Sequence, residues 1–187
     1  MRCFIRLAAD RTVCLTTTML LCLAPAMGQT QGVAGEGTFT ANFVGYADAE
    51  APPLQIGEGR FSGLSDSTLT AMGVENAAFL HNQTGRCLGV WFLDEGAATY
   101  QQNVHCTYVD TDGDQIFERA DFDTQPLQGP RVGTGRWLGG TGKYAGISGV
   151  FEIRVQGLRS AREGLVQYLG TKHGQFHLPE AEAAPGQ

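Results

Sequence analysis

No stretch of this sequence beyond residue 28 keeps apolar residues at i, i+3, i+4 and i+7 over three helical turns, which excludes a helical bundle. Basic blocks are missing too. Charged residues are only 17% of the chain, with 19 acidic against 13 basic side chains, and that argues against nucleic acid or an anionic membrane as a partner. No uncharged apolar run reaches the roughly 20 residues that a bilayer span needs, so a stable membrane anchor is not expected. Cysteine is scarce where it would matter: of five, Cys3, Cys14 and Cys22 fall within the first 28 residues, and only Cys87 and Cys106 lie beyond them.

What stands at the N-terminus is a basic start (Arg2, Arg6, Arg11), an uncharged run over 13–27 (VCLTTTMLLCLAPAM) and small residues at its end. This is the layout of a cleavable signal peptide over 1–28, with cleavage placed after Gly28 or, alternatively, after Ala26. The remainder is then expected outside the reducing cytoplasm, in a periplasm or extracellular space. Removing residues 1–28 takes away three arginines and one aspartate, so the formal charge goes from −6 to −8. Two cysteines in an oxidising compartment are most simply a disulfide; a catalytic thiol or half of a metal site are the alternatives, and His81 and His105 form no zinc-ligand spacing with them.

Strand signals fill the rest. Short runs of β-branched and aromatic residues over 37–46, 59–65, 68–73, 77–82, 87–93, 100–109, 115–122, 135–138, 149–157 and 164–170 are separated by Gly, Pro, Asn and Asp. That spacing predicts a sandwich or an antiparallel barrel in one domain over 37–178. Residues 29–36 are expected to be a flexible lead-in, and 179–187 (PEAEAAPGQ) a disordered tail. Two hairpins can be counted through. Turning about the Gly96–Ala97 bond sets Cys87 directly opposite Cys106, so disulfide and hairpin predict each other. Using Asp112-Gly113 as a two-residue type I′ turn sets Val109 against Ile116 and Tyr108 against Phe117.

The acidic turn invites a calcium reading. Asp110, Asp112 and Asp114 fill the first, third and fifth positions of an EF-hand loop, with Glu118 at the ninth and Asp121 at the twelfth, but Gln115 stands where that loop needs glycine, and the flanks are β-forming. A hairpin turn is the better account, with the three aspartates a weak calcium candidate. The glycine-rich stretch 133–149 resembles phosphate loops only superficially. Trp137 stands where a Walker loop needs its first glycine, Tyr144 follows Lys143, and Gly146 and Gly149 leave no room for a helix to receive a pyrophosphate. No nucleotide or other cofactor is expected. The glycines instead suit a barrel end where strands bend sharply, with Tyr144 and Ile147 as inward plugs.

The string GGTGKYAGISG over 139–149, with Gly139, Gly140, Gly142, Gly146 and Gly149, leads into the strand VFEI. It resembles the T-G-G-x-G-x-[FY]-x-G-x-x-G segment of the allene oxide cyclase and dirigent barrels, and most of all exported bacterial members of that barrel-like group, which carry a cysteine shortly before a D-x-D-G-D turn as Cys106 and Asp110 to Asp114 do. The resemblance is concentrated between Cys87 and Glu152. It implies an all-β fold, a small antiparallel barrel of about eight strands with an apolar interior. It transfers no catalytic residue.

Trp91, Tyr100, Tyr108, Phe117, Trp137 and Tyr144 are candidates to line or fill such an interior. The histidines accompany no Ser/His/Asp or metal pattern. The function expected is binding of a small apolar ligand or a protein partner; the alternatives are a cyclase or isomerase of the allene oxide cyclase kind, and a structural barrel with a filled core. An oligomer is compatible with the sequence, which marks no interface.

Overall fold

The computed structural model describes residues 35–48, 52–74 and 79–179. Nine strands follow one another: β1 Gly35–Asp48, β2 Leu54–Gly57, β3 Arg60–Gly73, β4 Gln83–Asp94, β5 Thr99–Val109, β6 Gln115–Pro126, β7 Arg131–Gly140, β8 Val150–Leu158 and β9 Leu165–Leu178. Among the described residues the one helical element is a single 3-10 turn, Gly142–Tyr144. All pairings are antiparallel, in the order β1-β9-β8-β7-β6-β5-β4-β3, and β1 pairs in turn with β3. Eight strands therefore close on themselves, which removes the free edges that an open sheet would expose. β2 is a short flap that pairs only with the first residues of β3.

Alternation writes the inside and outside of this barrel. Along β6, Ile116, Glu118, Ala120 and Phe122 are buried while their neighbours are not, and β1 buries Phe39, Ala41 and Phe43 in the same way. One end of the barrel is plugged. Phe79 stacks on Phe176 at 4.5 Å between ring centroids and meets Phe39 edge-on at 5.0 Å, with Trp137 and Phe151 4.6 Å apart beside them. Tyr144, Ile147, Leu80 and Leu178 complete this packing, and Gln83 donates to the Tyr144 hydroxyl at 2.9 Å. The plug at Tyr144 and Ile147 sits in the glycine-rich connection between β7 and β8, where Gly149 has φ +133° and its α-carbon lies against the Gln175 carbonyl, leaving no room for a side chain.

Several boundaries differ from those read in the sequence. The expected breaks after Ser65 do not occur: β3 runs through Asp66, whose carboxylate on the outer face takes a two-pronged bond from Arg86. Residues 79–82 are turn rather than strand, with Leu80 and Asn82 at positive φ, and residues 77 and 78 of that expected strand lie outside the described residues. The leader over 1–28, the segment 29–34 and the tail 180–187 also lie outside them. Gly35 and Glu36, expected in the flexible lead-in, are the first residues of β1, held by pairing with Leu178 and His177.

The most consequential correction is one residue long. Cys87 does face Cys106, but Tyr108 faces Ile116 and Val109 faces Gln115. The acidic turn has three loop residues, not two: the Gly113 amide donates to the Asp110 carbonyl at 3.1 Å, Gly113 takes φ +90°, and the Asp110 carboxylate accepts from the amides of Asp112 and Asp114. This is the type I turn with a following left-handed glycine, and it competes with the type I′ turn for the same Asp-Gly pair. A one-residue slip exchanges the faces of a strand. Glu118 consequently points into the barrel, and Phe117 is on its outer face.

Candidate functional site

Above the aromatic plug the barrel is hollow. A cavity of about 660 Å³ extends toward the opposite end, with Leu69, Trp91, Tyr100, Val104, Phe122 and Tyr168 among its walls and Arg131 near its mouth. Ligand pockets run from about 300 to 1,000 Å³, so the space is of ligand size and the filled-core alternative is set aside. The Cys87–Cys106 disulfide is part of this wall, bridging β4 and β5 with 4.1 Å between α-carbons, the close approach of a non-hydrogen-bonded pair.

The base of the cavity is not apolar. Lys172 of β9 reaches across the interior to Glu118 of β6, its Nζ in direct contact with Oε2, and donates to the Tyr108 hydroxyl of β5 at 2.5 Å. The three side chains are fully buried and still line the cavity. Aromatic faces surround the ammonium: Tyr108 at 4.6 Å, Phe151 at 5.0 Å, Phe43 at 5.6 Å and Trp137 at 5.8 Å from ring centroid to Nζ. Burial pushes the Lys172 ammonium below the usual lysine range, against the opposing pull of Glu118. Burial, reinforced by the Glu118 charge, drives the Tyr108 phenol well above 10. Tyr100 and Tyr168 higher in the wall are raised as well, chiefly by burial.

Chemically, this is a proton donor and acceptor set in a desolvated pocket. A buried ion pair seldom adds net stability over a well-packed apolar substitute, because each charge loses several kcal/mol of hydration on entering the interior. Its presence among aromatic rings thus asks for a reason beyond packing.

The residues singled out by sequence divide between three places. Trp91, Tyr100 and Tyr108 line the cavity, Trp137 and Tyr144 are buried in the plug beneath it, and Phe117 is half-buried on the outer face for the register reason above. Gly139, Gly140, Gly142, Gly146 and Gly149 shape the closed end, where Gly142 packs directly on the Asp114 carboxylate. Asp110, Asp112 and Asp114 remain at their turn. Lys143 places its ammonium between Asp110 and Asp112, 2.7 and 2.5 Å from their carboxylates, so a cation from the chain itself stands where a calcium ion would have to bind.

The sequence offered Glu118 only as the ninth position of a calcium loop and did not single out Lys172, so both were missed as cavity residues. A signal for each exists in the alternation. Glu118 interrupts the apolar face Ile116, Ala120, Phe122, and Lys172 interrupts Tyr168, Gly170, Gly174, Phe176, Leu178. A lone charge on an otherwise apolar strand face is the pattern to look for in a hollow barrel.

No known family matches the chain, and no curated protein does. Among solved structures it is similar to a pterocarpan synthase dirigent protein, with a TM-score of 0.48 and 14% identity over 81% of this chain and 91% of that one.

Proposed function

We propose that this protein binds a small, largely apolar molecule inside its barrel. The observation that carries the reading is the cavity of about 660 Å³ with apolar and aromatic walls and one polar cluster, Glu118, Lys172 and Tyr108, at its base. Predominantly apolar walls with a few convergent polar groups are the usual composition of a small-molecule site. The Cys87–Cys106 bridge supports action in an oxidising compartment, in keeping with the exported leader expected over 1–28. Incubation of the purified protein with a lipid extract, followed by native mass spectrometry, tests the binding. A retained mass that disappears when Ala120→Trp fills the cavity is the expected result; an extract that leaves the protein bare at every concentration tried counts against it.

One observation favours a second reading, an isomerase or cyclase of the allene oxide cyclase kind. A carboxylate, an ammonium and a phenol within contact of one another in an open apolar cavity can move a proton on a bound substrate. Turnover of an unsaturated apolar epoxide that is lost in Glu118→Gln, while ligand retention persists, would distinguish catalysis from carriage.

A further inference from the structure

We infer that the cavity takes uncharged ligands, an apolar body ending in a hydroxyl or carbonyl, and rejects carboxylates and amines through the charge balance of Glu118 and Lys172. The inference rests on the ligand-binding reading of the cavity and names the chemistry of its occupant.

The argument is one of charge and of donors. Glu118 and Lys172 are in direct contact and buried, with side chains 1% and 2% exposed, so each charge has its counter-charge inside the site and the base of the cavity is neutral as a unit. A carboxylate ligand reaching this depth would compete with Glu118 for the one ammonium and leave a second negative charge in a desolvated space. An ammonium ligand would do the converse against Lys172. Either arrangement pays the desolvation of an ion without an unpaired partner to receive it. An uncharged head does not.

A lysine ammonium has three donors, and among the described residues Glu118 and Tyr108 account for two of them. The third is available to the lone pair of an alcohol, ketone or aldehyde. Among the described residues no other charged side chain lines the deep part of the cavity: Asp48 and Arg131, the other charged lining residues, sit at strand ends toward the mouth, with Arg131 stacked over Tyr100 at 3.8 Å. Selectivity for an uncharged head is therefore set by the pair at the base.

The same reasoning predicts how selectivity should invert. Glu118→Gln leaves Lys172 as an unpaired cation, and a carboxylate ligand can then supply the missing charge. Lys172→Met leaves Glu118 as an unpaired anion, and an alkylammonium can do the same. The double variant Glu118→Leu/Lys172→Met has no charge to complement and should gain affinity for neither.

The experiment measures binding of 1-decanol, decanoate and decylammonium to the full chain and these three variants by calorimetry at neutral pH, with melting temperature read in parallel. Wild type should bind the alcohol about tenfold or more tightly than either ion, Glu118→Gln should gain decanoate, and Lys172→Met should gain decylammonium. Where a single variant is too unstable for calorimetry, the matching ion should raise its melting temperature more than it raises that of wild type. Equal or tighter binding of decanoate by wild type overturns this inference and leaves the ligand-binding reading standing, as does failure of both ions to favour their matched variants. Binding of no probe to any of the four proteins overturns the ligand-binding reading and this inference with it.

Discussion

Glu118 Oε2 and Lys172 Nζ, on β6 and β9, three strands apart around the barrel, meet at the bottom of its cavity in the molecule's one fully buried ion pair among the described residues. Their energetics are separable by mutation. Removing one partner leaves an uncompensated buried charge, so Lys172→Met or Glu118→Leu alone should cost about 3–5 kcal/mol, whereas the double replacement should be neutral or gain about 1–4 kcal/mol. Urea unfolding of the two single variants and the double variant measures all three. A double variant as unstable as the worse single one would show that the pair holds the fold together rather than serving its interior.

Alternating short strands and glycine-rich turns left a sandwich or an antiparallel barrel, the resemblance carried by residues 139–149 implied the barrel, and Cys87 opposite Cys106 could be read by counting across one hairpin. The site could not, because its faces hang on the next turn. Asp112-Gly113 fits a two-residue turn and a three-residue turn equally well in sequence, and the Asp110 carboxylate, by accepting two amides within the loop, favours the longer one. That single residue decides whether Phe117 or Glu118 enters the cavity. Long-range proximity was also beyond reach: Lys172 meets Glu118 across the barrel, a contact that no local pattern encodes.

The disulfide closes a loop across 19 positions of sequence between adjacent strands. A native bridge of this kind typically contributes about 2–4 kcal/mol, and a small barrel with a hollow interior has limited stability from which to lose it. Cys87→Ala/Cys106→Ala should unfold at lower denaturant by that amount, and reduced wild type should match the variant. Two titratable thiols in the oxidised wild-type protein would refute the bridge itself.

At the acidic turn the pH dependence has two limbs. Burial works to raise the Asp110 carboxyl, but bonds from Lys143 and from the amides of Asp112 and Asp114 hold it below its ordinary 3.8, so its stabilising contribution is present above that value and is lost as pH falls. Lys143 is raised above its ordinary 10.5 by its bonds to Asp110 and Asp112, so its contribution is complete below that value and is lost as pH rises. Tyr144, pushed up to about 12 mainly by burial, acts in the same alkaline direction. Melting temperature should therefore fall below about pH 4 and above about pH 10, and Lys143→Met should flatten both limbs. An unchanged profile in that variant would remove the turn as the source.

Two glycines with left-handed backbones separate strain from crowding. At Gly113 no atom lies within 4 Å of an added β-carbon, and its φ of +90° is the whole obstacle to a side chain. At Gly149, with φ +133°, an added β-carbon would also sit 2.2 Å from the Gln175 carbonyl oxygen, backbone that cannot turn aside. Gly113→Ala should thus cost about 1–2 kcal/mol, the price of left-handed backbone in an L-residue, and Gly149→Ala substantially more, because β9 would have to move away from the β7 to β8 connection. Gly149 lies beside the isolated pairing of Ser148 with His177 that ties this connection to the end of β9. Chemical denaturation of the two variants gives the comparison. A similar loss at both sites would mean that this connection is loosely held and that the plug of Tyr144 and Ile147 does not depend on its close approach to β9.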